Sequence, residues 1–143
     1  MASNPAWRRG WQSVRPVRQV AELGSSISRM QPNLIPVEPL SQVVFVHDYF
    51  QLVFQDDTFN IYNLAEVVRE GAVLRQGQVG FCDAVVGLIG KSVVSFTTAP
   101  RGELVLSFES GASLRVVGGP EGQHGFPHDA WEFLGPNDLF VCE

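Results

Sequence analysis

From Val43 onward the apolar positions fall into a period of two. In VVFVHDYFQLVFQDDTFNIYN, Phe50, Leu52 and Phe54 alternate with Gln51, Val53 and Gln55, the spacing of a strand with one buried face. Gln55-Asp56-Asp57-Thr58 is a polar turn, and Phe59 and Ile61 resume the alternation beyond it, so the segment predicts a hairpin. About 54 residues later, KSVVSFTTAPRGELVLSFESGASLRVV repeats the design. Leu104, Leu106 and Phe108 alternate, Ser110-Gly111 turns the chain, and Leu114 and Val116 return. Val43-Val44 aligns over Val93-Val94, and Phe50, Leu52 and Phe54 over Leu104, Leu106 and Phe108; a one-residue difference at the turn then breaks the register. Two like hairpins predict an internal pseudo-repeat, because neither can bury its apolar face alone.

Between the copies the pattern reads as helical. Asn63 is a reasonable N-cap for a stripe of Leu64, Val67 and Val68, which Gly71 interrupts. Gln78 to Ile89 is the stronger helix, with Val79, Ala84, Val85, Leu88 and Ile89 near helical spacing and Gly90 as its stop. Cys82 falls inside it and is expected to be a buried, inert thiol. After Gly118-Gly119-Pro120, Trp131 and Phe133 alternate with Glu132, Gly135-Pro136-Asn137-Asp138 offers a turn, and Leu139, Phe140 and Val141 make a last strand. This reading places Trp131 and Phe133 in the core and Glu132 on the opposite, solvated face.

The first forty residues differ. They hold five prolines and scattered serines; only Ser13 to Ile27 has the makings of an amphipathic helix, and Pro32, Pro36 and Pro39 enforce an extended linker. The expected organisation is a basic arm over residues 1–40, docking through Trp7 or Trp11, and one α+β domain over 41–143. That domain is an antiparallel, partly duplicated sheet of about six strands in hairpins, with one or two helices packed on one face.

Charge sharpens this division. Residues 1–29 carry five arginines against Glu22, whereas residues 30–143 carry five basic and fourteen acidic residues, a net −9 within a chain total of −5. An acidic domain repels nucleic acid phosphates and favours a basic protein partner. The leader is superficially like a transit peptide, yet no apolar segment follows Arg8-Arg9 as an export signal requires. No apolar run approaches the roughly 18 residues of a membrane span. Two cysteines among 143 residues make no disulfide framework, so a reducing cytoplasm is the expected compartment.

Several stretches mimic reactive sites. His124, His128 and Asp129 have a zinc-like spacing, but Gly125, Phe126 and Pro127 oppose the helix that would aim both rings one way, and no metal is expected. Cys142 with His47 or His124 is a conceivable nucleophilic pair, but an apolar strand predicts a packed thiol. Asp56-Asp57 sits where a turn favours aspartate. GGPEG lacks the lysine and following helix of a phosphate cradle. No catalytic residue and no cofactor is therefore assigned. Asp48, Tyr49, Glu103, Glu109 and Glu132 are instead expected to form an acidic, tyrosine-bearing outer face suited to a basic partner.

A helix ending in LIGKSV, then GELVLSFESGASLRV, a glycine- and proline-bearing loop and DAWEFLGPNDLFVC resemble the small bacterial domains grouped as DUF6188, a family of unknown function. The likeness spans residues 43–143 and is carried by Ala130, Trp131, Glu132, Gly135, Pro136 and Cys142; it departs at Asn137-Asp138, where a turn glycine is common. Such domains are often small companion proteins, in the manner of immunity proteins. The resemblance therefore implies a non-enzymatic immunity protein that binds and blocks a cognate basic toxin. The rival expectation is a small-ligand module with an apolar pocket between sheet and helix.

Overall fold

The computed structural model describes residues 34–124, 129–135 and 140–142. Its first meander contains β1 (Gln42–Val46), β2 (Tyr49–Phe54) and β3 (Asp57–Ile61), followed by the hairpin β4 (Ala65–Arg69) and β5 (Ala72–Arg75). A six-residue helix, α1 (Phe81–Val86), leads to a second meander, β6 (Val93–Ala99), β7 (Glu103–Phe108) and β8 (Ser113–Val116). A second hairpin, β9 (Trp131–Leu134) and β10 (Phe140–Cys142), ends the described chain. The strands form two five-stranded antiparallel sheets, in the orders β1-β2-β3-β9-β10 and β5-β4-β8-β7-β6. The single sheet of about six strands is thus corrected to two sheets, and the fold is sheet-dominated.

The orders disclose how the duplication works. Each meander is completed by the hairpin of the other half: β9 joins β3, and β4 joins β8. With Phe50, Leu52 and Phe54 set against Leu104, Leu106 and Phe108, the ladders make Phe59 and Ile61 equivalent to Leu114 and Val116. They also make Trp131, Glu132 and Phe133 equivalent to Ala65, Glu66 and Val67. The predicted one-residue difference is real, since Phe54 pairs with Asp57 across two residues while Phe108 N–H reaches Ala112 O across three. The first strands align differently than expected. Val43 pairs with Leu52 and Phe96 with Leu106, so Val43 corresponds to Phe96 rather than Val93.

The inward side chains of both sheets pack into one core. Phe59 lies 4.9 Å from Phe133 and 6.3 Å from Trp131, ring centre to ring centre, and Phe81 of α1 meets Phe50 edge-on at 6.1 Å. Such pairs add to their area burial. The halves exchange where the chain passes between sheets. Tyr62 and Asn63 N–H both donate to Ala130 O, Leu64 N–H donates to Gly122 O and Val117 N–H donates to Leu64 O. A Cβ on Gly122 would stand 2.0 Å from Val117 O, so only glycine fits this crossing.

One helical expectation fails and the other is shortened. Leu64 to Val68 lies on a strand path, because Glu70-Gly71, both at positive φ (50° and 80°), is a tight hairpin turn and not a break in a helix. The second helix shortens to Phe81–Val86: it buries Phe81, Ala84 and Val85, leaves Val79 fully out in solvent, and exposes Cys82 instead of burying it. The leader helix, Trp7 and Trp11 lie outside the described residues. Leu34, Pro36 and Leu40, expected in the arm, are buried, and Leu40 N–H donates to Lys91 O.

A chain beginning at Asn33 should therefore melt well above one beginning at Ser41, which loses two buried leucines worth about 2–5 kcal/mol each; equal melting temperatures would place residues 34–40 outside the cooperative unit. Trp131 is 1% exposed, but its indole N–H has no hydrogen-bond partner. Trp131→Ala should cost on the order of 3–5 kcal/mol in urea unfolding. Trp131→Phe should cost far less, because it also removes a buried, unsatisfied donor.

Candidate functional site

On the first sheet, the positions between the core-facing residues carry a polar row. The register brings Gln51, Asn60 and Glu132 side by side. Gln51 Nε2 donates to Asn60 Oδ1 at 2.9 Å, and Asn60 Nδ2 donates to Glu132 Oε1 at 2.8 Å. The Tyr62 hydroxyl donates to the same carboxylate oxygen at 2.6 Å. Asn60 is 1% exposed and Glu132 2%, which corrects the solvated position expected for this glutamate. A buried carboxylate is tolerable only with donors around it, and this register supplies them.

Tyr49 extends the row into a patch. Its ring lies 5.3 Å from that of Tyr62, and the two tilt at 41°. Burial first, then the charges of Asp48 and Glu132, push the Tyr49 hydroxyl above the ordinary tyrosine range. Burial, the Glu132 charge and hydrogen bond, Tyr49 and Asp129 raise Tyr62 much further, so its hydroxyl remains a proton donor at every physiological pH. Asp48, Tyr49, Tyr62, Asp129 and Glu132 thus form one acidic, aromatic patch. Asp48 is exposed in the His47-Asp48 turn between β1 and β2, and Tyr49 is half-buried at the start of β2.

The equivalent row of the second sheet is ionic. Glu66, at the position matching Glu132, is 4% exposed and bridges two arginines. Arg75 donates to its Oε2 through Nε and Nη2 at 2.8 and 2.7 Å, and Arg115 Nη1 donates to its Oε1 at 3.0 Å. Arg115 Nε also donates to Glu103 Oε2 at 2.7 Å. Burial pushes the Glu66 carboxyl up, but the hydrogen bonds and charges of Arg75 and Arg115 outweigh it and hold it below the ordinary range. The hydrogen bond to Glu103 comes first in holding Arg115 above its own ordinary value, ahead of the opposing effect of burial.

The expected outer face therefore divides. Asp48, Tyr49 and Glu132 come together, whereas Glu103 belongs to the ladder of the other sheet. Glu109 is exposed in the β7–β8 turn, where its carboxylate accepts from Ser92 N–H at 3.2 Å. Tyr62 and Asn60, absent from the sequence reading, complete the patch; only the β3–β9 register reveals them. Of the residues weighed for catalysis or metal, His47 and His124 are exposed, while His128 and the Cys142 side chain lie outside what is described. Asp57 starts β3 and is buried; burial first, then Asp56, push its carboxyl up, against a backbone hydrogen bond from Val37.

Comparison with known proteins finds no matching family model, no matching curated protein and no matching solved structure. The likeness to the DUF6188 domains rests on the residues quoted above.

Because the folded pKa of Glu66 is depressed, its contribution to stability is present above the unfolded value and lost as pH falls through the folded one. Urea unfolding across a pH series should show a loss of stability below about pH 4.3 that Glu66→Gln lacks. At neutral pH Glu66→Gln should cost about 1–2 kcal/mol, because both arginines are partly in water. Identical acid profiles for the two proteins would remove Glu66 from the account.

Proposed function

We propose that this protein is a non-enzymatic bacterial interaction protein, an immunity protein that binds and blocks a cognate basic toxin. The observation that carries the reading is the convergence of Asp48, Tyr49, Tyr62, Asp129 and Glu132 on the first sheet. Carboxylates steer a basic partner into encounter, and a tyrosine held by a neighbouring ring anchors it at low entropic cost. The surrounding charge agrees, since residues 30–143 carry a net −9. The resemblance to small bacterial companion domains supplies the toxin as the class of partner. Asp48 is the outermost carboxylate and Tyr49 the accessible ring, whereas Glu132 acts from beneath by fixing Tyr62.

Among the described residues no helix is long and apolar enough to cross a membrane.

The test is co-expression with the product of the adjacent upstream gene, whose toxicity the wild-type protein should suppress. Tyr49→Ala and Asp48→Asn should each weaken the purified complex by about tenfold, the Asp48 effect shrinking as salt rises. Failure of wild-type protein to suppress toxicity or to bind would sink the assignment. Binding that ignores both substitutions would move the interface elsewhere.

A further inference from the structure

The helix α1 has no counterpart in the other half among the described residues, and it creates a feature that the duplication alone would not. It packs inward through Phe81, Ala84 and Val85. Beyond it, Leu88 N–H donates to Val85 O, and Gly90 N–H donates to Leu40 O, which holds the segment against the sheet ends. Between this segment, the β4–β5 turn and the β7–β8 turn lies a half-open surface cavity of about 340 Å³. Ala84, Leu88 and Ala112, all buried, form its apolar floor. Arg69, Lys91 and Ser110 stand on its rim, together with Glu70.

The two rim cations stand outside the ion-pair ladder of the second sheet. Arg75 and Arg115 are tied to Glu66 and Glu103, whereas no ion pair engages Arg69 or Lys91 among the described residues. Of the five lysines and arginines among the described residues, Arg101 is likewise outside these ion pairs, but it lies at a different cavity, so two of the three cations outside the network line this one. With Glu70 counted, the rim carries a net charge of about +1, which matches a single negative charge. An apolar floor beneath a few convergent polar groups is the general form of a small-ligand site.

We infer that this cavity binds a small monocarboxylate, its carboxylate held by Arg69 and Lys91 and its short apolar body resting on Ala84, Leu88 and Ala112. Charge-assisted hydrogen bonds fix the head group, and burial of the body rejects fully polar anions. The site involves neither Tyr49 nor Asp48, so it stands or falls independently of the partner surface.

Backbone-amide NMR of the full chain tests it, with benzoate as the probe. Benzoate should shift the Gly87, Lys91 and Gly111 amides saturably, while benzamide, which has the same ring without the charge, should bind at least about tenfold more weakly. Arg69→Gln and Lys91→Gln should each weaken benzoate by about tenfold with the rest of the spectrum unchanged; Lys91→Arg should retain most of the binding, and Arg101→Gln all of it. Three outcomes would overturn the inference: no saturable shift, equal shifts from benzamide, or equal shifts of the same amides from inorganic phosphate, which would leave the apolar floor without a role.

Discussion

Two antiparallel pairings, β3 with β9 and β4 with β8, tie the halves of the chain into one body, and every other feature is arranged around them. Each half builds a three-stranded meander and then sends its hairpin across to the other sheet. A meander alone would leave Phe59 and Ile61, or Leu114 and Val116, on an unfinished edge. The crossing hairpin covers that edge and contributes further core side chains, among them Trp131 and Phe133 on one side and Ala65 and Val67 on the other. Because each half completes the other, neither has a closed core by itself. The narrow crossing at Gly122 and Asn63 is where this exchange meets its steric limit.

The same pairings place a glutamate at the equivalent outward position of both crossing hairpins. A buried carboxylate needs donors, and the halves satisfy it by different chemistry. Glu66 is neutralised by Arg75 and Arg115, which closes an ionic ladder across the second sheet. Glu132 accepts from the neutral Asn60 and Tyr62, and its charge contributes to raising the Tyr49 and Tyr62 hydroxyls. One sheet thereby carries a ladder of ion pairs, while the other carries an acidic, aromatic patch. The asymmetry follows from a few residues, Arg115 against Asn60 and Arg75 against Cys142, on a backbone plan that is otherwise repeated.

Alternation along the chain was enough to locate the strands of both meanders and the Trp131 strand, because a period of two survives in any sheet that has one buried face. It was also enough to expose the duplication and the unequal turns. It misled where burial was two-sided. Ala65, Glu66 and Val67 are all buried, and so are Trp131, Glu132 and Phe133, so the polar residue in each triplet read either as part of a helix or as solvated. Gly71 carried the same ambiguity, since a glycine that interrupts a helical stripe also serves a tight hairpin turn.

The sequence by itself determined the strand-rich domain, its acidic charge, its repeat and the core roles of Trp131 and Phe133, all of which depend on local pattern or on composition. Only the tertiary structure decided that there are two sheets, that hairpins are exchanged between halves, and that Glu66 and Glu132 are equivalent. It also decided that Tyr62 stands over Glu132, seventy residues away along the chain. Periodicity states which face a residue takes within its own strand. Which strand lies alongside is set by long-range pairing, and partners as far apart as β3 and β9 leave no trace in the local pattern of either.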